Sequence, residues 1–484
     1  PEVLDVIVRE SAPSTSTAED LVAALGGVVN EQLPLIGGFT ATIPASAVDQ
    51  VDSNPSIDAA TPDGSVTLSS TSWDTVSLSP ADSEAGWDSE YTSLTIKSTS
   101  DTTSVRGTGT WEEIVQATGA GSMWSNGFTG AGVDVAIIDS GVVPVDGLTT
   151  TGKVIDGPDL SFESQSEKFR YLDTFGHGTH LSGLIAGRSS DAPADPSQGT
   201  SSDFLGMAPD SRIVSVKVAG HDGAPDVSQV IAAVDWVVQH RNDNGMNIRV
   251  LNLSFGTDSS QSYVLDPLAH AVEQAWKNGI VVVVSAGNDG NKMPLRNPAT
   301  DPFVIAVGAY DHNRPWSPLD DELLEFSNCG TSERRPDLVA PGKSIISLLS
   351  PGSTADVENP AAVVADKYIK GSGTSQSAAI VSGAAALVLD QHPRATPDQV
   401  KALLMGTATP MQSADSACQG SGTLNLTKLP YVSTPPTAYQ KLEPSKGTGS
   451  IEATRGSDHL EHEGVLLEGE QDIFGNKWDG EDWA

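Results

Sequence analysis

Four short segments of this chain carry side chains that can do chemistry. The first, Val135-Ala-Ile-Ile-Asp-Ser-Gly141, sets Asp139 directly after an apolar run. A carboxylate there stands at the carboxyl end of a buried strand, the edge at which open parallel sheets bind ligands. Taken alone, Asp139 reads equally well as a turn residue before a glycine. The second, Asp173-Thr-Phe-Gly-His-Gly-Thr-His-Leu-Ser-Gly183, flanks His177 with glycines that leave its imidazole accessible. His177 and His180 stand three apart, as a zinc pair would, but a third ligand must come from elsewhere and neither cysteine is near. A structural histidine is the other reading, and it suits His180 better than His177.

The third, Gly371-Ser-Gly-Thr-Ser-Gln-Ser-Ala-Ala-Ile-Val-Ser-Gly383, leads through two glycines into small residues. That pattern predicts a closely packed helix starting at Ser375, whose hydroxyl feels the positive end of the helix dipole. By itself Ser375 reads as a helix cap. A phosphate loop does not fit, because no Lys follows the glycines and the Walker spacing is absent. The fourth, Val281-Val-Val-Val-Ser-Ala-Gly-Asn-Asp-Gly290, puts Asn288 just past another apolar strand, where its amide can donate to a developing oxyanion. A turn Asn beside glycines is its plain alternative.

Together the segments say more than any one of them. Acyl transfer by serine needs a base to take the hydroxyl proton and a carboxylate to orient that base. Asp139, His177 and Ser375 supply one of each, in the order Asp, His, Ser. No Gly-x-Ser-x-Gly elbow surrounds Ser375, which argues against the α/β-hydrolase arrangement.

The chain that must position these groups has 484 residues, room for two to three domains. Residues 1–66 read as a small α+β unit. Val3 to Val8 is a strand, Ala18 to Leu25 a helix, Gly38 to Ile43 a strand, Ala45 to Val51 a short helix and Ser56 to Ala60 a strand. There is room for one more strand near Leu33 to Ile36. Residues 67–115 are rich in Ser, Thr and Asp, lack a sustained period and read as a linker. Residues 116–430 alternate strands (Val133 to Ile138, Ile213 to Val218, Ile248 to Ser254, Ile280 to Ser285, Phe303 to Gly308) with helices. Val227 to Val238 has apolar residues at helical spacing, and Thr396-Pro-Asp-Gln399 opens a late helix with a capping box. This alternation predicts an α/β fold, a mostly parallel sheet with helices on both faces. Residues 431–484 are Pro-rich and then acidic, and read as a flexible tail. Its Trp478 and Trp483 leave open a surface- or glycan-binding role.

Acidic residues number 63 and basic ones 27, a net charge of −36. Such a surface argues against nucleic-acid partners and against docking on an anionic membrane. No apolar run approaches a membrane span. The acidity suits a soluble exported protein or adaptation to high salt. The chain starts at Pro1 with no signal-like stretch, so a targeting peptide is expected to be absent or already removed. Cys329 and Cys418 are the two cysteines, and whether they form a bridge or stay apart is left open.

Asp139-Ser-Gly141, Gly176-His-Gly-Thr-His180, Ala286-Gly-Asn288 and Gly373-Thr-Ser375 resemble the Asp, His, oxyanion and Ser segments of the subtilisin-like serine endopeptidases, from about Gly119 to Leu426. Residues 1–66 resemble the family's inhibitory, folding-assisting propeptide, of ferredoxin-like form. The resemblance implies a secreted, monomeric enzyme in zymogen form, with protein and peptide substrates and with its own propeptide as intramolecular inhibitor. Asn252-Leu-Ser-Phe-Gly256 resembles the strand that lines the substrate cleft. Ser254, Phe255 and Gly256 facing Ala286 and Gly287 would form the primary pocket, small and apolar, favouring apolar residues before the scissile bond. No organic cofactor is implied. Structural calcium is common in the family, but no stretch spells an EF-hand loop and no ligand is assigned. The sequence departs from the pattern after the nucleophile, with Gln376 and Ala379 where the family has Met and Pro. A catalytically silent binding module, or an esterase using the same groups, are the alternatives.

Overall fold

The computed structural model describes residues 3–62 apart from 11–15, 34–37, 45–46, 48–49, 52–53 and 55; residues 72–73; and residues 109–478 apart from 201–202, 313–320, 413–416, 463–464 and 474–476.

The central sheet grows from β-branched runs. Strands β6 (Asp134–Asp139), β8 (Arg212–Lys217), β9 (Ile248–Leu253), β10 (Val281–Ser285) and β11 (Ile305–Asp311) are buried along nearly their whole length. Continuous rather than alternating burial marks strands covered on both faces. With β7 (Val154–Asp159), β12 (Glu322–Leu323) and β13 (Leu338–Pro341) they form one sheet in the order β12-β11-β10-β9-β6-β8-β7, with β13 also beside β11. All pairings are parallel except β11 with β12. Helices α3 (His177–Ala186) and α6 (Thr374–Gln391) pack together, with α7 (Pro397–Thr407) against α6; α4 (Val227–His240) and α5 (Pro267–Lys277) form a second pair. The capping box at Thr396 forms as expected, with Gln399 as its reciprocal partner. Helix α6 is buried from Thr374 to Leu389 and needs its small residues: a Cβ on Gly383 would lie 2.4 Å from that of Met207. Cys329 and Cys418 are joined by a disulfide.

Three expectations change. Helix α2 (Trp111–Thr118) starts inside the expected linker, capped by Thr110 and Glu113, and buries Ile114 in the main core, so residues 111–115 belong with the unit built on the central sheet. Residues 431–484 are no flexible tail where they are described. Ser445 donates its N–H to Glu273 at 2.6 Å, Lys446 and Gly449 donate to the carbonyls of Val264 and Leu265 at 2.7 Å, and Ile451, Leu460, Leu467 and Ile473 join the main core. Trp478 packs against that core too, while Trp483 lies outside the described residues. Helix α8 (Ile451–Arg455) carries Arg455, which donates to Asp226, the N-cap of α4, at 2.9 Å with both side chains fully buried.

In the N-terminal unit the extra strand is β2 (Val28–Leu33), a few residues earlier than expected. It joins β1 (Val3–Glu10), β3 (Gly38–Pro44) and β4 (Ile57–Pro62) in an antiparallel sheet of order β2-β3-β1-β4, with α1 (Thr17–Ala24) packed against β2. Most of the expected helix from Ala45 to Val51 lies outside the described residues. No helix among the described residues is long and apolar enough to cross a membrane.

Candidate active site

Strands β6, β9 and β10 end at the same edge of the sheet, because all three are parallel neighbours. Asp139 closes β6, Ser254 follows β9, and Ala286 to Asn288 follow β10. Residues far apart in the chain are thereby delivered to one rim.

His177 is the first residue of α3. Its Nδ1 lies 2.9 Å from Asp139 Oδ1 and 3.0 Å from Oδ2. The flanking glycines have structural reasons. Gly176 takes φ +104°, a left-handed conformation that favours glycine, and a Cβ on Gly178 would fall 2.2 Å from the Gly141 carbonyl oxygen. Helix α3 can therefore lie directly against the loop that carries Asp139.

Asp173 has a role that the sequence reading missed. Its carboxylate accepts the N–H groups of Gly176 and Thr179 at 2.6 and 2.7 Å and the Ser140 hydroxyl at 2.7 Å. Ser140 in turn accepts the Gly178 N–H at 3.0 Å. Asp173 thus anchors the start of α3 and ties it to the residue after Asp139. A helix-capping Asp a few residues ahead of the Gly-His-Gly motif was its readable signal. Burial pushes the Asp173 carboxyl up, against the hydrogen bonds from Thr179, Gly176 and Ser140. For His177, burial pulls the imidazole down, but the charge and hydrogen bond of Asp139, with Asp173 behind it, leave it above its ordinary value.

Ser375 is the second residue of α6, one later than the helix start, so it is not the cap; Gly373 is. Its backbone N–H belongs to the first turn, which has no intrahelical acceptor. The Ser375 hydroxyl and His177 Nε2 are both buried, and neither has a hydrogen-bond partner. The expected hydroxyl–imidazole bond is therefore not made, whereas the carboxylate–imidazole bond is. Buried polar groups without partners are uncommon, and catalytic hydrogen bonds often tighten only when substrate is bound.

Asn288 accepts at Oδ1 from the Thr374 N–H and hydroxyl, both at 2.9 Å. Its carbonyl end is thus committed to the residue before Ser375. Thr374 also accepts the Gly287 N–H at 3.2 Å, linking the two segments. Ser254 Oγ lies 3.5 Å from the Ser375 carbonyl oxygen and accepts from Asn252 at 3.2 Å.

Phe255, expected to line the primary pocket, is fully buried and belongs to the main core; Ser254 and Ala286 are fully buried as well. The space between Gly256 and Gly287 is not bounded by small residues alone. A Cβ on Gly256 would meet Arg296 Cβ at 2.6 Å, and one on Gly287 would meet Arg296 Cγ at 2.6 Å. The stem of Arg296 stands between the two glycines, and its guanidinium is held by Asp289 at 2.5 and 2.7 Å and by Asp458 at 2.7 Å. Nothing in the local sequence marks Arg296. Ala286 is fully buried beside them.

His180 is buried with neither ring nitrogen hydrogen-bonded, and burial, with His177 nearby, pulls its pKa down to about 3. It is a neutral packing residue. Among the described residues no group of three or more His, Cys, Asp or Glu side chains could hold a metal ion, so no calcium ligand is assigned.

An α/β sheet with a buried Asp–His pair at its carboxyl edge and a serine at a helix start defines a serine hydrolase. The profile of the Subtilase family matches residues 130–430. Serine protease AprX of Bacillus subtilis (strain 168) is 37% identical over 304 residues, 61% of this chain and 66% of AprX. Subtilisin DY of Bacillus licheniformis is 33% identical over 310 residues, 63% of this chain and 94% of its own length. Minor extracellular protease Epr of B. subtilis is 29% identical over 278 residues, so the chain spans 35% of Epr. The chain belongs to the subtilase family, a class of serine-type endopeptidases that use no organic cofactor.

Proposed function

We propose that this chain is the zymogen of a secreted, monomeric, subtilisin-like serine endopeptidase acting on proteins and peptides. One observation carries the reading: the buried Asp139–His177 pair at the sheet edge where α6 presents Ser375. Ser375 Oγ attacks the peptide carbonyl while His177 Nε2 takes its proton. Asp139 holds the imidazole in the tautomer that leaves Nε2 unprotonated and stabilises the imidazolium. Asn288 and the Ser375 N–H donate to the oxyanion. His177 then protonates the leaving amine, the C–N bond breaks, and water hydrolyses the acyl-enzyme in the same way. Removal of an oxyanion donor such as Asn288 costs about 3–4 kcal/mol of transition-state stabilisation, a magnitude established on subtilisin itself. Residues 1–66 act as intramolecular inhibitor until cut away. The pocket favours apolar residues before the scissile bond, because the stem of Arg296 and the glycines offer an apolar wall while Asp289 and Asp458 occupy the guanidinium.

The test is a fluorophosphonate probe with casein digestion, on the wild type and on Ser375→Ala. The wild type should label at Ser375 and digest casein with an acidic limb above pH 6.5, since His177 must be neutral to act as base and its pKa is raised. Ser375→Ala should do neither and should stay unprocessed. Normal digestion by Ser375→Ala overturns the assignment. Labelling and ester hydrolysis without proteolysis would indicate an esterase.

A further inference from the structure

The segment Ser72–Trp73 lies apart from both folded units in sequence, yet it forms a strand, β5. Its partner is β16 (Tyr368–Ser372), the strand that leads through Gly373 and Thr374 to Ser375. Along one edge β16 pairs with β14 (Ile345–Leu348) over four residues. Along the other, β15 (Val363–Val364) reaches only Tyr368 and Ile369. The rest of that edge, nearest Ser375, is taken by β5, with Ser72 opposite Ser372 and Trp73 opposite Gly371. Adding an extended segment to an open sheet edge is a general way of holding a peptide.

The pairing is antiparallel, so its direction is informative. Going from Trp73 back to Ser72, β5 points along β16 from Gly371 to Ser372, toward Ser375. Ser375 lies three residues past Ser372, about 10 Å at roughly 3.3 Å per extended residue. A peptide bond no more than about four residues upstream of Ser72 is therefore within reach of the hydroxyl by chain length. Ser72 and Trp73 lie on the amine side of that bond.

Trp73 is half-buried. It packs on a small apolar cluster of its own, formed by Leu349, Ala355, Ala362, Val363 and Ile369, which is separate from the main core. Its ring also meets His180 edge to face, with centroids 5.4 Å apart. His180, three residues from the proposed base, has no polar partner and is held neutral. It presents a ring to an aromatic neighbour rather than a hydrogen bond to a polar one.

We infer that the Leu349–Ala355–Ala362–Val363–Ile369 cluster with His180 is a leaving-side subsite for an aromatic side chain, filled here by Trp73, and that the first maturation cut falls between Leu68 and Ser72. The inference rests on the endopeptidase reading and deepens it. Hydrolysis at that bond gives a carboxylate on the propeptide side and a new amino terminus that retains Trp73, with Trp73 two to five residues into the mature chain.

Two measurements test it. N-terminal sequencing of the freshly matured wild type should place the first cut between Leu68 and Ser72, and Trp73→Ala should process at least several-fold more slowly. A first cut downstream of Trp73 overturns the placement. On fully matured enzyme, fluorogenic peptides carrying Trp, Ala or Gly two to five residues after the cleaved bond should differ in kcat/KM. Trp at the best position should be favoured on the order of tenfold, as burial of an aromatic ring allows. Equal rates at every position, from an enzyme that cuts the peptides and labels with the probe, overturn the subsite and leave the endopeptidase reading standing. Neither cleavage nor labelling overturns both.

Discussion

The two flanks of the catalytic unit bury their apolar residues in opposite ways. The N-terminal flank has a cluster of its own, Ala18, Val22, Ala41, Ile43, Val51 and Ile57, distinct from the main core. Among the described residues the C-terminal flank has none; Ile451, Leu460, Leu467 and Ile473 complete the core beneath them. A segment with a private core can leave without opening a hole. One that finishes another unit's core cannot, because its removal exposes apolar surface and leaves buried polar groups unpaired. The propeptide proposed above and a permanent strap would correspond to these two arrangements.

The largest effect should come from the pair that fastens the strap. Arg455→Ala leaves Asp226 buried at the start of α4 without its cation, although Asp226 keeps its bonds to Ser228. Breaking a buried pair from one side costs about 3–5 kcal/mol. Chemical denaturation in a Ser375→Ala background, which prevents self-digestion, should show that loss in the catalytic-unit transition. Val22→Ala in the N-terminal unit should leave the same transition where it was. If Arg455→Ala changes it by less than about 1 kcal/mol, or Val22→Ala shifts it comparably, the contrast between the flanks fails.

A smaller effect, spread over pH, comes from two buried carboxylates, one of them bonded to the strap. Glu273, which accepts the Ser445 N–H, is raised by burial, and it helps burial raise Asp301 to about 8. The unfolded chain releases the Asp301 proton near its ordinary value of 3.8, while the folded chain keeps it to about 8. Between those values the folded state binds more protons, so this group makes stability fall as pH rises from about 4 to about 8. Asp301→Asn should flatten that part of the stability–pH curve by up to about 1.4 kcal/mol per pH unit. A slope unchanged by the substitution shows that Asp301 is ionised in the fold.

The legible features of the sequence were those in which neighbours in sequence act together. Apolar β-branched runs gave strands β6 and β8 to β11 to within a few residues, and Thr396 with Gln399 gave the start of α7. Glycines around His177 marked a left-handed turn and a close approach of backbone. The strap was illegible because Arg455 and Asp226 are 229 positions apart, and a charged residue in an acidic stretch reads as solvated until its partner is known. The same limit hid Arg296, whose contacts are glycines about 40 and 9 residues upstream.

The smallest effect joins the strap to the site. Asp458 belongs to the strap, and with Asp289 it holds the guanidinium whose stem stands between Gly256 and Gly287. If that stem closes the primary pocket, Arg296→Ala should deepen it. The ratio of kcat/KM for Phe over Ala before the scissile bond should rise about tenfold, the range in which apolar pockets discriminate by size. Asp458→Asn removes one half-exposed ion pair and leaves the bidentate Asp289 contact, so it should shift the ratio by no more than about threefold. Peptide-library profiling of the matured enzymes measures both. A Phe-over-Ala ratio untouched by Arg296→Ala would make Arg296 a fastener between the strap and the loop after β10, and would place the floor of the pocket elsewhere.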